Sequence, residues 1–419
     1  MRLSRVVITG MGAVSPFGRG NDLLIDSLCE GKSGIAHVAR LETVRGLAPR
    51  VAGLVAGADM AEVPRKIRRS MSPMSVYGFW AAREALEMAG LAEEDIVGGR
   101  LGLIMGSTLG SPATMEEFFA TYLADRSIEQ VKSMLFFKIM GHSVAANVAQ
   151  ALGVTGRVMA PTAACSTSCQ AIGLGYEAIA LGRQDFMLCG GADEYHPLTS
   201  ATFDIMMAAS TRYNDRPGET PRPFDADRDG VVCSEGAGVL LLESLDSALR
   251  RGARIHAELA GFSSTSDPSS IANPDPVPVY TCMRQALLNA GLEPEAIDYV
   301  NAHATGTLQG DEAESRAIAM VFGDSVPVSG FKGHMGHTMA ASGVLEIIGC
   351  LGMMERSVLI PTRNLDNPAP ECGGINHVRH KTEAKVSAVM KNNFALGGIN
   401  CSLVLRGYDD RSGNYRAGQ

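Results

Sequence analysis

The strongest constraint on the fold is a repeat within the chain. Residues 83–96 (REALEMAGLAEEDI) and 284–297 (RQALLNAGLEPEAI) share Arg, Ala-Leu, Ala-Gly-Leu, Glu and Ile at a constant spacing of 201 residues. Each segment has the periodicity of an amphipathic helix that ends at a glycine, Gly90 or Gly291. An apolar strand candidate follows each helix, LGLIMG and DYVNAHA. The repeat predicts two halves of related architecture.

A second pair of segments supports this division. A helical pattern follows Cys165 (TSCQAIGLGYEAIALG) and another follows His337 (TMAASGVLEIIGCLGMM). We therefore expect helices to begin at these two residues, in corresponding places of the two halves. The intervening strands are wholly apolar, which is typical of buried sheets in α/β layers. We predict one half over residues 1–250, a second over 251–411, and a tail over 412–419.

Composition excludes several classes of function. The chain has 419 residues, of which 46% are hydrophobic, enough for a large core. A net charge of −8 and an aromatic content of 5% argue against nucleic-acid binding. The first residues, MRLSRVVITGMGAVSPFG, predict a strand and turn rather than a signal peptide, and no run is long enough to span a membrane. Nine cysteines, mostly in apolar contexts, favour reduced thiols in the cytoplasm.

The segment APTAACSTSCQAIG, residues 160–173, contains a candidate nucleophile. Cys165 lies at the predicted helix start, where unpaired N–H groups and the positive end of the dipole favour a thiolate. Its small neighbours leave room for a substrate carbonyl. Cys169 lies one turn further on, where this field has faded, and we expect it to be a packing residue. The alternative for Cys165 is a small buried hydrophobe.

Two histidine segments add further candidates. His303 ends an apolar strand in VNAHATGTLQGDEAE, and His337 lies five residues after Lys332 in FKGHMGHTMAASG. Histidines beside Gly, Thr and Ser loops are not typical core residues, although each alone would more often be structural. A metal site built on His334 and His337 is a weaker alternative, because no Cys or His pair nearby completes it.

Together these motifs carry a family resemblance. TAACSTS, NAHATGT, KGHMGH followed by AASG, NNFALGGIN and RPFDADRDGVVCSEGAG resemble the β-ketoacyl-acyl-carrier-protein synthases of the elongating class, in the thiolase superfamily. The resemblance covers nearly the whole chain. It implies an α/β thiolase-like fold, two similar halves stacked as five layers (αβαβα), usually as a homodimer. It also implies an acyltransferase without metal or cofactor, whose substrates are carried on the phosphopantetheine of an acyl carrier protein.

The resemblance implies a Cys-His-His centre for decarboxylative condensation. Cys165 would carry the acyl group, and His303 and His337 would hold the malonyl thioester carbonyl while CO₂ leaves. Donors aimed at the oxygen that becomes an enolate suit this chemistry, and two neutral imidazoles can supply them. The backbone N–H groups of Cys165 and Leu396 would form the oxyanion hole.

Further residues match supporting positions of the family. The charged pair is Lys332 and Glu314; the substrate and pantetheine contacts are Thr305, Thr307, Thr108, Leu109, Phe394 and Leu396; the carrier-protein docking residues are Arg65, Lys66, Arg68 and Arg69. The carrier protein is acidic in this family, and the last group is the densest basic cluster of an acidic chain. Opposite charges raise encounter rates and fix register, although a solvated helix face would look the same.

The late loop departs from the family pattern. The usual Phe-Gly-Phe-Gly-Gly-Thr-Asn is Phe-Ala-Leu-Gly-Gly-Ile-Asn at residues 394–400. Leu396 replaces the second Phe, thought to act as a gate over the acyl cysteine, and Ala395 replaces a flexible glycine. Fatty-acid elongation is the main expectation, and a specialised enzyme for a polyene or other secondary chain is the alternative.

Three other interpretations remain open at this point. A degradative thiolase shares the fold, but it would use a second cysteine as base where this chain offers His303. A non-catalytic chain-length-factor subunit would lack Cys165. A dinucleotide-binding loop is suggested by GMGAVSPFG, but Pro16 and a missing acidic residue weaken it.

Overall fold

The computed structural model of the protein describes residues 3–409 and 414–415. The helices are α1 (Asn21–Cys29), α2 (Arg65–Arg68), α3 (Pro73–Ala89), α4 (Glu93–Val97), α5 (Pro112–Asp125), α6 (Ser133–Ile139), α7 (Ser143–Leu152), α8 (Thr167–Ala180), α9 (Pro197–Ile205), α10 (Leu245–Arg250), α11 (Pro276–Ala290), α12 (Leu308–Phe322), α13 (Lys332–Met335) and α14 (Ser342–Arg356). The predicted tail, 412–419, lies outside the described residues except for 414–415.

Eighteen strands are formed by the described residues. They are β1 (Val6–Ser15), β2 (Gly18–Arg19), β3 (Ala36–His37), β4 (Val51–Ala52), β5 (Leu101–Gly106), β6 (Val158–Met159), β7 (Phe186–Asp193), β8 (Gly236–Ser244), β9 (Ala257–Ser266), β10 (Tyr299–Asn301), β11 (Pro327–Ser329), β12 (Val358–Leu359), β13 (Asn376–His377), β14 (Thr382–Glu383), β15 (Ala388–Ala395), β16 (Ile399–Arg406), β17 (Tyr408–Asp409) and β18 (Asn414–Tyr415).

A sheet of twelve strands runs through both halves. Its order is β13-β11-β10-β15-β16-β9-β1-β8-β7-β5-β6, with β2 beside β1. The halves meet where β1 and β9 pair antiparallel, with Val6 opposite Leu259 and Ile8 opposite Ala257. Moving outward from this junction, β8, β7, β5 and β6 on one side correspond to β16, β15, β10 and β11 on the other. The repeat in the sequence is therefore a repeat in the topology.

The helices complete five layers. α8 and α14 each contact strands of both halves, so they lie between the two parts of the sheet. α14 is buried from Ser342 to Met354, as expected of a helix that, apart from Ser342 and Glu346, is apolar on all sides. α3 and α7 cover the outer face of the first half, and α11 and α12 cover that of the second. This is the predicted αβαβα arrangement.

The repeated helices end as the sequence predicts. α3 ends at Gly90 with φ 59°, and α11 ends at Gly291 with φ 64°. Both glycines adopt the left-handed conformation that closes helices with little strain. α10 ends at Arg250 and β9 begins at Ala257, so the proposed division near residue 250 falls in the connection between them.

The buried helices begin later than predicted. Short 3₁₀ turns precede both: the Cys165 turn (Ala164–Ser166) before α8, and the Ala340 turn (Met339–Ala341) before α14. Both turns and both helices are related by the same spacing of 175 residues. The counterpart of Cys165 is therefore Ala340, and His337 lies three residues upstream of it.

The glycines of GMG serve packing. β1 runs unbroken through Gly10 and Gly12, directly beneath α3. A Cβ at Gly10 would lie 2.1 Å from the Ala85 carbonyl oxygen, and one at Gly12 would lie 1.9 Å from that of Ala81. Only glycine lets α3 approach β1 this closely. Because these glycines lie within a strand and not in a loop, the dinucleotide-loop interpretation is wrong.

Across the described ranges, 3–409 and 414–415, the structure has no helix with the length and apolar character needed to cross a bilayer.

Candidate active site

Cys165, His303 and His337 meet in one buried site. The three come from the Cys165 turn, the segment after β10 and the segment after α13. The Cys165 sulfur and one ring nitrogen of each histidine lie within 4.8 Å of one another, and each residue is at most 7% exposed. His337 Nε2 is 2.9 Å from Cys165 Sγ, and the two imidazole centroids are 5.3 Å apart. One thioester could contact all three groups.

The backbone fixes the proton of His337. The Met339 N–H donates to His337 Nδ1 at 3.1 Å, so the proton of the neutral ring resides on Nε2, which faces the sulfur. The pKa of His337 is well below its usual value, because burial disfavours the charged ring and Lys332 and Lys391 repel it. His337 is therefore a neutral N–H donor.

The segment RPFDADRDGVVCSEGAG helps to hold this ring in place. The His337 N–H donates to the Val232 carbonyl at 2.8 Å, and the Ser234 N–H donates to the His337 carbonyl at 2.8 Å. Both sides of the His337 backbone are thus paired with the chain of the first half, which anchors the second-half histidine beside Cys165 of the first half.

Cys165 rests as a thiol, contrary to the thiolate expected from its position before a helix. Burial raises the pKa of Cys165 to about 11, against the opposing effects of Lys332 and of hydrogen bonds from the backbone N–H groups of Leu396 and Cys165 itself. Loss of solvation outweighs these effects. The same two N–H groups were predicted to form the oxyanion hole, and both reach the sulfur.

A buried charge network lies beneath the histidines. Glu346 accepts from Lys332 Nζ at 2.7 Å and from Lys391 Nζ at 2.8 Å, and all three side chains are fully buried. Lys332 also donates to the carbonyl of His303. The expected pairing of Lys332 with Glu314 is corrected: the carboxylate bound to Lys332 is that of Glu346. Two ammonium groups share one carboxylate, and the excess positive charge disfavours protonation of both rings.

Glu314 instead holds the backbone beside His303. Its carboxylate accepts the N–H groups of His303 and Ala304, each at 2.7 Å. Ala304 has φ 39°, a conformation that a side-chain-bearing residue rarely adopts without such support. Burial raises the pKa of Glu314 to about 7, against the two N–H donors. Glu314 thus fixes the position from which the His303 ring projects.

Sequence reasoning missed three buried residues. These are Glu346, Lys391 and Asn393, whose side chains contact the site from α14 and β15. Glu346 lies in an apolar helical run, LEIIGCLG, and Lys391 in the strand pattern AVMKNNFA. The single charged residue in each of these two segments was the available signal, since charged residues are rarely buried without a partner.

A cavity of about 410 Å³ opens onto the triad. Its lining includes the predicted contacts Thr305, Thr307, Phe394 and Leu396. Thr108 and Leu109 are not part of this lining, and their role as substrate contacts stays a prediction. The Thr108 hydroxyl donates to Asp193 at 2.6 Å, and Leu109 is 53% exposed.

The predicted basic cluster lies on a separate surface. α2 and its C-cap carry it, and Arg65, Lys66 and Arg69 are exposed while Arg68 is half-buried. The four side chains line one shallow groove. Within the described part of the chain, none of them forms an ion pair, so the groove is open to an acidic partner.

The His334–His337 metal interpretation is wrong. The ring of His334 is turned away, with Nε2 3.0 Å from the Pro361 carbonyl, and the group of potential ligands in the described chain is Cys165, His303 and His337. In that group His337 Nε2 carries the ring proton, so this nitrogen donates a hydrogen bond and has no lone pair free to bind a metal ion.

Comparison with known proteins identifies the family. The beta-ketoacyl synthase N-terminal domain matches residues 3–248, and the corresponding C-terminal domain matches residues 256–366. A 3-oxoacyl-[acyl-carrier-protein] synthase 1 from Escherichia coli K12 is 37% identical over 415 residues, covering 97% of this chain and all of the relative. The chain belongs to the β-ketoacyl synthase family.

Solved structures agree with this. A beta-ketoacyl synthase from Burkholderia phymatum STM815 is 41% identical, with a TM-score of 0.93 over 97% of this chain and all of that chain. A type II polyketide ketosynthase, solved with its acyl carrier protein and bound to the hexaketide, is 29% identical, with a TM-score of 0.89 over the same shares. The predictions of family, fold class and acyltransferase class are confirmed.

Proposed function

We propose that the chain condenses a Cys165-bound acyl group with a malonyl unit carried by an acyl carrier protein, giving a β-ketoacyl-carrier protein and CO₂. The observation that supports this most directly is the gathering of one thiol and two neutral imidazoles within 4.8 Å. The pKa of His303, like that of His337, is held well below its usual value by burial and by Lys332. A thiolase would instead need a second cysteine as base, and the group of potentially reactive side chains at this site combines one cysteine with two histidines.

In the first step Cys165 takes the acyl group. Its sulfur attacks the acyl thioester carbonyl, a new C–S bond forms, and the carrier's C–S bond breaks. The thiol proton leaves with the carrier sulfur. His337 Nε2–H, 2.9 Å from the sulfur, favours its negatively charged form. The N–H groups of Cys165 and Leu396 would stabilise the oxyanion.

In the second step the malonyl unit loses CO₂. The bond to the carboxylate breaks and its electron pair becomes an enolate, whose oxygen accepts from the Nε2–H groups of His303 and His337. The α-carbon then attacks the acyl-Cys165 carbonyl, and the Cys165 sulfur leaves as a thiolate. This thiolate takes up a proton before the next cycle. The scheme needs neither metal nor cofactor beyond the carrier's pantetheine, which Thr305 and Thr307 would contact.

Intact-mass spectrometry tests this scheme. With acyl-carrier protein, we expect an acyl adduct on the wild type that is lost in Cys165→Ala and kept in Cys169→Ala. His303→Ala and His337→Ala should still acylate but release no CO₂ from malonyl-carrier protein. Adduct retention in Cys165→Ala, or undiminished decarboxylation in both histidine variants, would contradict the scheme.

We further propose that the groove lined by Arg65, Lys66, Arg68 and Arg69 docks the acidic carrier protein. Lys66→Glu combined with Arg69→Glu should raise the KM for acyl-carrier protein by about tenfold and leave acylation by a small acyl thioester unchanged. Arg250→Glu, an exposed charge reversal on α10, is the matched control. An equal loss with the small thioester would show damage to the site instead of lost docking.

Assembly, location and pathway complete the proposal. We expect a homodimer, as in the family, and a cytoplasmic location, which nine unpaired cysteines favour. Fatty-acid elongation remains the main expectation. A specialised role is the second candidate, supported by Ala395 and Leu396 in the loop over Cys165 and by the likeness to a polyketide ketosynthase.

A further inference from the structure

We propose that Asn393 is a positioning residue that sets His303 as the tautomer with its proton on Nε2, and that Cys169 sets the orientation of Asn393. Only the kinetic consequence of this inference rests on the proposed function. The tautomer itself can be observed without any reaction. Neither residue has a role in the condensation scheme above.

Asn393 connects the nucleophile to His303. Its side chain is fully buried on β15. The amide nitrogen donates to the Cys165 carbonyl at 3.0 Å and lies 3.3 Å from His303 Nδ1, with a longer contact of 3.5 Å to Ser342 Oγ. The amide oxygen is 3.3 Å from Cys169 Sγ. The planar side-chain amide of Asn393 therefore contacts four neighbouring groups.

These neighbours permit one orientation of the amide. In the opposite orientation the amide oxygen would face the Cys165 carbonyl, which can only accept a hydrogen bond. The Cys169 thiol would then lose its acceptor. Burial raises the pKa of Cys169 to about 12, so this thiol keeps its proton and donates to the amide oxygen. The nitrogen of Asn393 is thus directed at His303.

The consequence falls on the proton of His303. An N–H group directed at Nδ1 requires a lone pair there, so the proton of the neutral ring resides on Nε2. His337 reaches the same state through a backbone N–H, that of Met339. A proton on Nδ1 of His303 would instead leave a lone pair on Nε2, and this would repel an enolate oxygen. The tautomer of His337 is thus set by a backbone N–H group, whereas that of His303 is set by a side chain that can be substituted.

Other ionisable groups around His303 do not supply this control. They are Lys332 on α13 and His337 just after it, Glu314 on α12, Glu346 on α14, Lys391 on β15, Cys165 in the Cys165 turn and Cys169 on α8. Lys332 and Glu314 contact the backbone of residue 303 and not its ring nitrogens. Their charges act on whether the ring is protonated, whereas Asn393 acts on which nitrogen holds the proton.

The direct test uses the unmodified protein. Nitrogen-15 NMR of histidine-labelled wild type, assigned with His303→Gln, should show an unprotonated Nδ1 and a protonated Nε2 for residue 303 at pH 7.5. A proton on Nδ1 would overturn the proposal, whatever the enzyme does.

The kinetic test uses the isosteric change Asn393→Asp. A carboxylate accepts where the amide donated, so it draws the ring proton to Nδ1. At pH 8 we expect decarboxylation of malonyl-carrier protein to fall on the order of 10²- to 10⁴-fold, while acylation of Cys165 changes less than about threefold. The rate should recover as pH falls, because either a second ring proton or a protonated carboxyl restores the Nε2–H.

Two further variants separate positioning from packing. Asn393→Leu removes the donor without adding an acceptor and should show a smaller loss with no such recovery at low pH. Cys169→Ala should shift the NMR signature toward a mixture of tautomers, and Cys169→Ser, which keeps a donor, should restore it. Equal loss of acylation and decarboxylation in Asn393→Asp at every pH would overturn the proposal. If the wild type neither acylates nor decarboxylates, the proposed function fails and the NMR result still decides this inference.

Discussion

The Cys165 turn and the Ala340 turn are the same structure put to different uses. Ala164 has φ 45° and Met339 has φ 53°, a left-handed conformation in both cases. The two turns contain equivalent backbone hydrogen bonds, from the Ser166 N–H to the Ala163 carbonyl at 2.9 Å and from the Ala341 N–H to the Thr338 carbonyl at 3.0 Å. Each leads into a buried helix. The repeated fold therefore supplies two equivalent N–H groups, those of residues 165 and 340.

The two N–H groups differ in what they face. The Cys165 N–H reaches its own sulfur at the edge of the cavity. The Ala340 N–H donates to the Asp193 carboxylate at 2.8 Å, and Asp193 also takes the Thr108 hydroxyl at 2.6 Å. The N–H group of the Cys165 turn thus lies at the edge of the cavity, whereas that of the Ala340 turn is covered by a buried carboxyl. The difference shows that the same turn can leave its N–H group accessible from a cavity or enclose it beside a carboxyl.

The largest effect should come from moving the nucleophile between the turns. The double variant Cys165→Ala with Ala340→Cys keeps one thiol in an equivalent turn but encloses it beside Asp193. We expect acylation to fall by roughly 10³-fold or more, no better than in Cys165→Ala alone. Intact mass measures the adduct, and a thermal melt checks folding. An adduct on residue 340 would show that the second turn is accessible, and the comparison would fail.

The next largest effect concerns the charges beneath the open turn. Glu346→Gln leaves Lys332 and Lys391 buried without their shared carboxylate, which should destabilise the fold by about 3–5 kcal/mol. Urea unfolding measures this. Adding Lys391→Met removes one of the two unpaired charges, so the double variant should recover part of the loss. If the double variant is less stable than Glu346→Gln alone, the two ammonium groups do not compete for this carboxylate.

The sequence predicted the parts of this arrangement that depend on local pattern. Helix ends at Gly90 and Gly291, apolar strands and the motif order were all visible, because periodicity and turn chemistry are written in neighbouring residues. The resemblance supplied the triad. The partner of Lys332 was not predictable, since Glu346 and Glu314 are both glutamates on helices and only tertiary packing selects between them. The protonation of Cys165 also depended on burial, which a helix start does not reveal.

The smallest effect tests the carboxyl that fills the second turn. Burial raises the pKa of Asp193 from 3.8 to about 7, against hydrogen bonds from Thr108 and Ala340. The folded state therefore holds this proton more tightly than the unfolded state. The contribution of this bound proton to the stability of the folded state is complete below about pH 4 and is lost as the pH rises toward 7. Asp193→Asn removes this group.

Between pH 5 and 6.5 we expect the plot of unfolding free energy against pH to have a less negative slope in Asp193→Asn than in the wild type. The change should be up to about 1.4 kcal/mol per pH unit, because one proton fewer is bound by the folded state. Urea unfolding at four pH values measures the slope, and Asp125→Asn, at an exposed site, is the control. An unchanged slope would mean that Asp193 stays ionised when buried. The second turn would then hold a full negative charge on the Ala340 N–H, the same kind of anion that the Cys165 turn is proposed to meet only during reaction.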